Sequence, residues 1–351
     1  MAPRGVPRAR RRRAPRGTAV TVSSAPSRAT LPARMRAAVM TAPGRFEVRE
    51  APRPAPGQGQ VLVAVDGSGI CGSNLPVFEG RPWFAYPLAP GAPGHEGWGR
   101  VVAAGPGAEG AFTAGARVAF LSGAAFAEYE AVDAAAALAV PAALGDLPFP
   151  GEPVACGVNV FRRARIVRGD VVAVVGIGFI GAVVARLAAA AGARVLAVGR
   201  RPFALDLAGA LGAEPVPWGE RGAVVEEIRR RTGGALCDVA VEAVGLQAPL
   251  DLASDLVRES GRLVVAGFHQ DGLRTVDLCA WNWKGLDVVN GHERRREVMM
   301  DAMRGAAEAV ADGTLDLARL VTHAFPLEAI GEAFAALRDR PDGFLKGVVR
   351  P

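Results

Sequence analysis

The distribution of hydrophobic residues changes character about halfway along the chain. Up to about Leu144, short apolar runs such as 60–65 and 117–121 are separated by glycine and proline, which predicts a β-rich region with long loops. Beyond this point, longer apolar runs alternate with segments of helical spacing, the first of them at 178–191. The apolar runs lie at 171–175, 194–198, 238–241 and 262–266, and the last three each open on one charged residue. Such runs are typical of buried parallel strands joined by helices, so the predicted fold class is α/β.

Helical spacing returns near the C-terminal end, at 297–312 and again at 327–338. A chain of 351 residues exceeds the usual size of a single core, so two domains are expected. No apolar run reaches the ~18 residues that a membrane-spanning helix needs, so no membrane association is expected.

A glycine-rich motif follows the first parallel strand directly. Gly176, Gly178 and Gly181 form a G-x-G-x-x-G sequence that opens a helix, with Phe179 and Ile180 between the last two glycines. The glycines allow a tight turn, close approach of a pyrophosphate and close packing of helix on strand. The motif in this context predicts dinucleotide binding at the helix N terminus.

The end of the second parallel strand predicts which dinucleotide binds. An enzyme that uses NAD carries Asp or Glu there, about 20 residues after the motif, to bind the ribose 2′-hydroxyl. This chain has Gly199, Arg200 and Arg201 instead. Two guanidinium groups without a carboxylate favour the 2′-phosphate of NADP(H). The alternative is that one arginine is a solvated residue at the start of the next helix.

Two potential metal ligands, Cys71 and His95, lie 24 positions apart in glycine-rich surroundings. Thiolate and imidazole, completed by a carboxylate, are donors of a catalytic zinc site that keeps one position open. The alternative for Cys71 is a buried small hydrophobic residue.

These motifs, together with Phe126–Tyr129 and Phe344–Val349, resemble the zinc-dependent medium-chain alcohol and polyol dehydrogenases, in particular the sorbitol and threonine dehydrogenase-like branch. The resemblance runs from about Met35 to the C terminus. It implies a GroES-like β-rich catalytic domain, formed by 35–156 and 296–351, and a Rossmann doubly wound parallel sheet at 157–295.

The resemblance also assigns roles to individual residues. The zinc ligands are Cys71, His95 and a carboxylate, either Glu152 or Glu96, both also counted among the catalytic residues. Ser73 matches the hydroxyl that relays the substrate proton, and Lys346 matches a basic residue near the cofactor pyrophosphate. A turn serine and a surface lysine are the alternatives for these two.

Three departures from the family pattern stand out. Pro76 replaces the histidine that carries the proton to solvent in many relatives, and Asn74 replaces an aspartate that would raise ligand basicity. The four-cysteine lobe that binds a structural zinc is absent after 118–120, so one zinc per chain is expected.

The excess positive charge of the chain lies at its N-terminal end. The formal net charge is +6, yet residues 1–34 hold nine arginines and no acidic residue, which leaves −3 for the rest. We expect a disordered basic extension, or residues upstream of a start at Met35. A nucleic-acid or membrane-binding arm and an organellar transit peptide are the alternatives. Four widely spaced cysteines without a preceding secretory segment favour a reducing, cytoplasmic environment.

The sequence therefore predicts a zinc-dependent oxidoreductase that transfers a hydride between an alcohol or polyol, or its carbonyl product, and NADP(H). The expected assembly is a homodimer or homotetramer. Two alternatives stay open: an epimerase or lyase on the same fold, and a nucleic-acid-binding protein that uses the N-terminal arginines, although nucleic acid is the less expected partner.

Overall fold

The computed structural model of the protein describes residues 31–351. The first part of this segment consists of short strands, one short α-helix and three 3-10 turns. Its elements are β1 (Arg34–Ala42), β2 (Arg45–Pro52), β3 (Gln60–Gly69), α1 (Leu75–Phe78), β4 (Glu96–Ala104), β5 (Arg117–Leu121), β6 (Tyr129–Asp133) and β7 (Ala137–Ala139). Strands β1 and β2 pair antiparallel as a separate two-stranded sheet.

The second part alternates strands and helices. Its elements are α2 (Gly151–Ala164), β8 (Val171–Val175), α3 (Phe179–Ala190), β9 (Arg194–Gly199), α4 (Pro202–Ala210), β10 (Glu214–Pro217), α5 (Arg221–Arg231), β11 (Cys237–Glu242), α6 (Gln247–Leu256), β12 (Val257–Val265), α7 (Leu278–Lys284), β13 (Asp287–Asn290) and α8 (Arg296–Ala311). The buried strands are rich in valine and alanine, as expected for strands covered by helices on both faces.

The chain then returns to the first sheet. The last elements are α9 (Leu317–Leu320), β14 (His323–Pro326), α10 (Ile330–Asp339) and β15 (Gly347–Arg350). Strand β15 pairs antiparallel with β3 at Val348 and Gly69, which closes a seven-stranded sheet with the order β14-β15-β3-β4-β5-β7, and β6 also pairs with β3. The C-terminal strand therefore reaches the segment that carries Cys71.

The second sheet is parallel throughout, with the strand order β10-β9-β8-β11-β12-β13. The order reverses direction between β8 and β11, which is the switch point where doubly wound sheets bind ligands beyond the carboxyl ends of their strands. The GroES-like and Rossmann architecture predicted from the sequence is confirmed.

One large hydrophobic core joins the two sheets. Helix α2 packs against α3 and α8, and its buried residues share a cluster with Trp98 of β4 and Val174 of β8. The predicted domain boundary at 156/157 falls inside α2, so this helix runs through it. Strand β1 begins at Arg34, the last residue of the predicted basic extension, most of which lies outside the described residues.

The predicted elements are found at the predicted places. The helix expected at 178–191 is α3, and the one expected at 297–312 is α8. The helix expected at 327–338 begins as a 3-10 turn, Leu327–Ala329, and continues as α10. Between residues 31 and 351, no helix combines the length and the apolar character needed to cross a membrane.

Candidate active site between the two sheets

Antiparallel pairing of β3 and β4 brings the predicted metal ligands together. Gly69 pairs with Glu96, so Cys71 just after β3 faces His95 just before β4. One ligand atom from each of Cys71, His95 and Glu96 lies within 4.8 Å of the other two. Among residues 31–351 this is the one group of three or more such side chains that could hold a metal ion.

Hydrogen bonding orients the His95 ring. Its Nδ1 lies 3.1 Å from the carbonyl oxygen of Pro93, so Nδ1–H donates to that oxygen and Nε2 is left as the donor atom for a metal. Burial lowers the pKa of His95, but the Cys71 hydrogen bond and the charges of Cys71, Glu96 and Glu152 outweigh it and raise the pKa to about 10. The ring therefore lies in a strongly negative field that suits a cation.

Glu96 is completely buried and is paired with Lys346, which is also buried. The Lys346 ammonium donates to Glu96 Oε1 at 2.5 Å and to the Ile70 carbonyl at 3.0 Å. Glu96 Oε2 contacts the same ammonium but accepts no hydrogen bond from any described residue. Both carboxylate oxygens therefore contact the ammonium, and the carboxylate lies beside a thiolate and an imidazole, a donor set that fits zinc.

Glu152 lies close to this group without belonging to it. It is in the first turn of α2, and its Oε1 accepts a hydrogen bond from Cys156 Sγ at 3.2 Å. Burial and the charge of Glu96 raise its pKa, while His95 and Cys156 lower it. The two carboxylates therefore share one environment. Glu96 is the one whose carboxylate oxygen lies within 4.8 Å of the ligand atoms of both Cys71 and His95.

Ser73 and Asn74 lie in a 3-10 turn directly after Cys71. Ser73 is half-buried, and its hydroxyl bonds to no other described residue. Asn74 is buried, and its amide donates to the Pro93 carbonyl at 3.4 Å, the same oxygen that accepts from His95. Pro76 is buried in the first turn of α1, so no titratable group occupies that position.

The glycine motif forms the turn between β8 and α3. Gly176 adopts φ +101°, which a residue with a side chain rarely adopts, and a Cβ on Gly181 would lie 1.9 Å from the Gly176 carbonyl oxygen. Gly178 faces open space, since a Cβ there would meet no protein atom within 4 Å. Gly176 and Gly181 are therefore required by the fold, whereas Gly178 leaves room for a ligand.

The group formed by Cys71, His95 and Glu96 lies next to the glycine motif. The Lys346 ammonium lies 5.1 Å from the ring centre of Phe179, the first residue of α3, with Ile180 next along the helix. The lysine that pairs with Glu96 therefore also contacts the N-terminal end of the nucleotide helix.

The predicted cofactor-selecting residues follow at the end of β9. Gly199 is buried, Arg200 is exposed, and Arg201 is half-buried with its Nη1 donating to the Phe344 carbonyl at 2.5 Å. No carboxylate forms an ion pair with either arginine within residues 31–351.

A loop that sequence analysis did not single out crosses from β12 to the first sheet. Gln270 donates to the Gly72 carbonyl at 3.4 Å, and Asp271 pairs with Arg81 at 3.3 Å. The loop is held by His269, whose Nε2 bonds to buried Glu242 at 2.9 Å and whose Nδ1 accepts from Arg274 at 3.0 Å. No local motif marks these residues, because the contacts to the first sheet join segments about 200 positions apart.

Two protein-family models match the chain. The alcohol dehydrogenase GroES-like domain matches residues 57–142, and the zinc-binding dehydrogenase model matches residues 180–308. Among curated proteins, an alcohol dehydrogenase from Rhizobium meliloti is 33% identical over 265 residues, covering 66% of this chain and 77% of the relative. The (R,R)-butanediol dehydrogenase of Bacillus subtilis is 32% identical over 263 residues, covering 65% and 75%.

Solved structures agree with these sequence matches. The crystal structure of 2R,3R-butanediol dehydrogenase from Bacillus subtilis superposes with a TM-score of 0.80 at 28% identity, covering 90% of this chain and 99% of that one. A Sinorhizobium meliloti protein described as a putative zinc-binding dehydrogenase and solved with NADP gives 0.79 at 25% identity, covering 91% and 100%. The chain therefore belongs to the zinc-dependent medium-chain alcohol dehydrogenase family of oxidoreductases.

Proposed function

We propose that this protein binds one zinc ion and transfers a hydride between an alcohol or polyol and NADP(H). The observation that carries the proposal is the convergence of Cys71, His95 and Glu96 within 4.8 Å, beside a lysine that also contacts Phe179 at the start of the nucleotide helix. Potential metal ligands and the nucleotide helix thereby lie side by side, as hydride transfer to a metal-polarised substrate requires.

The donor set fits zinc, which prefers thiolate, imidazole and carboxylate ligands. Cys71 and His95 supply the first two, and Glu96 or Glu152 supplies the third. When bound, zinc supplies Lewis-acid polarisation of the substrate oxygen, and the nicotinamide supplies the hydride acceptor or donor.

Ser73 is the side chain proposed to move the substrate proton. Its hydroxyl follows the ligand Cys71 by two residues and bonds to no other described residue, so it is available to accept a hydrogen bond from the alcohol. Because Pro76 cannot carry a proton, the next acceptor after Ser73 is water, a cofactor hydroxyl or the nearby Glu152 carboxylate. Protonation of Glu152 is made easier by its raised pKa, which burial and the charge of Glu96 cause.

Lys346 has two tasks in this proposal. Its ammonium neutralises Glu96 and so limits the negative charge around the metal ligands. Its position at the start of α3 adds a positive charge to the helix N terminus, where a pyrophosphate binds.

The substrate class rests on the relatives. Proteins similar to this chain are named as butanediol dehydrogenase, L-threonine 3-dehydrogenase and sorbitol dehydrogenase. Butanediol and sorbitol are polyols, and threonine carries its hydroxyl beside an amine. These names support a small alcohol or polyol substrate and the corresponding ketone or aldehyde.

Cofactor choice is the first experiment. Purified protein is screened with alcohols, polyols and cyclitols, and kcat/KM is measured with NADP⁺ and with NAD⁺. A charge-assisted hydrogen bond is worth ~1.5–3 kcal/mol, and the site is partly solvated, so we expect a preference of ~10- to 10³-fold for NADP⁺. The double change Gly199→Asp with Arg200→Asn should reverse it, since an aspartate at 199 meets only flexible leucine and isoleucine side chains. A wild-type preference for NAD⁺ would overturn the proposed cofactor.

The same screen separates the alternatives. An epimerase or lyase on this fold would turn over substrate without net change in nicotinamide absorbance, whereas a dehydrogenase reduces one cofactor per alcohol oxidised. The arginine-rich segment that suggested nucleic-acid binding lies outside the described residues, apart from its last positions.

A further inference from the structure

We propose that Arg340 is a third arginine of the cofactor site and that, together with Arg200 and Arg201, it binds the 2′-phosphate of NADP(H). The inference rests on the proposed NADP(H)-linked function and adds a specificity-determining residue from a distant part of the chain. Arg340 follows α10, about 140 positions after the arginines at the end of β9.

Hydrogen bonds place the turn after α10 beside the end of β9. Arg340 N donates to the Ala336 carbonyl at 2.8 Å, which ends the helix, and Phe344 N donates to the Pro341 carbonyl at 3.0 Å, which forms the next turn. Arg201 Nη1 donates to the Phe344 carbonyl at 2.5 Å. The side chain of Arg201 thus joins the two segments, and Arg340 lies at the start of the segment it binds.

The charges of Arg200 and Arg201 act on Arg340. The pKa of Arg340 is lowered, first by desolvation and then by the positive charges of Arg201 and Arg200. Burial lowers the pKa of Arg201 as well, against the opposing charge of Asp342, which forms no ion pair with any of the three within residues 31–351. The cluster therefore carries a surplus of positive charge.

Arginines elsewhere in the described chain are mostly paired with carboxylates. Arg194 pairs with Glu214 at 2.7 Å, and Arg338, only two positions before Arg340, pairs with Asp339 at 2.7 Å. Arg200, Arg201 and Arg340 form no ion pair with a carboxylate within residues 31–351, so their charges are available to an anion. A phosphate monoester, which carries nearly two charges and several acceptor oxygens, suits several guanidinium groups at once.

The backbone of Arg340 gives an independent indication. This residue has φ +47° and ψ +62°, in the left-handed region that helix ends normally fill with Gly or Asn. A non-glycine residue with a long side chain in this conformation is strained, and such strain is concentrated at functional sites. The left-handed residue ends α10 and begins the turn that carries Phe344, whose carbonyl accepts the hydrogen bond from Arg201.

The position in the fold favours the 2′-phosphate over other anions. The carboxyl end of the second parallel strand is where this class of sheet binds the adenosine ribose, and Gly199 replaces the carboxylate that would repel a phosphate. The three arginines surround this strand end, while the glycine motif that binds the pyrophosphate lies at the end of β8.

Binding of adenosine fragments tests the proposal without turnover. Calorimetry compares adenosine 2′,5′-bisphosphate, AMP and inorganic phosphate on the full-length wild type and on Arg340→Asn, which keeps a residue that tolerates the left-handed conformation. Since the site is partly solvated, loss of one charge-assisted contact should lower the affinity for the bisphosphate by about 5- to 30-fold. AMP affinity should change less than about twofold. The matched control Arg338→Asn removes an arginine that has its own carboxylate partner and should match the wild type.

The thermal midpoint and the cofactor constants complete the test. Arg340→Asn should melt at or above the wild-type temperature because it relieves backbone strain, so weakened binding in a folded variant supports the proposal. The KM for NADP⁺ should rise by the same factor while the KM for NAD⁺ stays constant.

Three results would overturn the inference, and they differ in what else they overturn. If Arg200→Asn weakens the bisphosphate and Arg340→Asn does not, Arg340 faces solvent and the proposed NADP(H) preference stands. If inorganic phosphate binds as tightly as the bisphosphate, and Arg340→Asn lowers both affinities by the same factor, the cluster is a general anion site. If the wild type binds AMP as well as the bisphosphate, the proposed cofactor preference fails too.

Discussion

Glu96 and Lys346 form a buried ion pair between residues 250 positions apart. Removing one partner of such a pair leaves an uncompensated buried charge, which destabilises a protein strongly. Substitution of Lys346 would therefore combine loss of stability with loss of function, so the metal and proton chemistry is better tested at Cys71 and Ser73, which are only half-buried.

Metal content tests the ligand assignment directly. We expect about one zinc per chain in the wild type and almost none in Cys71→Ala, because a thiolate cannot be replaced by a methyl group as a ligand. Elemental analysis of dialysed protein measures this. The control Cys279→Ala changes an exposed cysteine of α7 and should keep its zinc. Two zincs per chain, or full zinc content in Cys71→Ala, would contradict the assignment.

The role of the Ser73 hydroxyl is tested by turnover. Ser73→Ala should lower kcat by roughly 10²- to 10⁴-fold, the usual contribution of a positioned proton-transfer group. Cofactor affinity, measured by nicotinamide fluorescence, should stay close to that of the wild type. Ser73→Thr keeps a hydroxyl and should recover part of the rate. If Ser73→Ala turns over normally while chemistry is rate-limiting, the proton takes another route.

At the scale of elements, the turn between β8 and α3 contains glycines that serve different purposes. Gly178 has a backbone that any residue can adopt and no protein atom near its missing Cβ, whereas Gly181 packs on the Gly176 carbonyl. Gly178→Ala should therefore keep the wild-type melting temperature and lose dinucleotide affinity. Gly181→Ala should lower the melting temperature. Thermal melts with and without cofactor measure both, and equal affinity in Gly178→Ala would show that the pyrophosphate lies elsewhere.

Glu130 of β6 supports the loop that replaces the absent cysteine lobe. Its Oε1 accepts from Ala124 N at 3.0 Å, and its Oε2 accepts no hydrogen bond from any described residue. Burial raises the pKa of this carboxyl to about 7, although hydrogen bonds from Ser122, Gly123 and Ala124 lower it. The folded protein thus binds a proton that the unfolded chain has already released above pH 4.5.

A pH dependence follows with a definite sign. The contribution of protonated Glu130 to the free energy of unfolding is fully present below the pKa of the unfolded chain, 4.5. It is lost as the pH rises through about 7, by at most about 3 kcal/mol. Glu130→Gln should therefore be more stable, relative to the wild type, at pH 8 than at pH 5. Urea unfolding at both pH values measures the difference.

The control for this pH dependence is Glu128→Gln. Burial raises the pKa of Glu128, but hydrogen bonds from Arg36 outweigh it and lower the pKa below its usual value. Glu128 is therefore mostly ionised in the folded and the unfolded protein at both pH values, and its substitution should change stability nearly equally at each. If the free energy of unfolding of Glu130→Gln differs from that of the wild type by the same amount at pH 5 and pH 8, Glu130 stays ionised.

At the scale of the whole molecule, β13 leaves the edge of the parallel sheet open. Val288 of β13 is exposed, and nearby α7 exposes Leu278 and Trp283. An open edge strand beside apolar side chains is a surface for pairing with another chain. We predict a homodimer that pairs through β13, in which Val288→Glu places like charges close to the two-fold axis.

Light scattering measures this assembly. It should show a dimer for the wild type and a monomer for Val288→Glu. The control Leu147→Glu changes an exposed leucine outside the parallel sheet and should stay dimeric. A dimer in both variants would place the contact on another surface.

Much of the molecule was determined by the sequence itself. The valine-rich runs, the G-x-G-x-x-G motif and the glycine-punctuated first half predicted the two sheets, because local spacing determines which residues can be buried. The resemblance that these motifs carry to a known family predicted the class of enzyme. Cys71 and His95 were found in the same way, since each lies in a recognisable short segment. The assigned roles of Ser73, Lys346 and the arginines stay predictions that the experiments above address.

Only the tertiary structure decided which side chains meet. It brought a carboxylate oxygen of Glu96 within 4.8 Å of the ligand atoms of Cys71 and His95, because the register of β3 on β4 sets where each side chain points. It also brought Lys346 to Phe179 and Arg201 to the Phe344 carbonyl, contacts between segments far apart in the chain. No pattern within one segment predicts such contacts, because they arise only when the C-terminal strand folds back onto the first sheet.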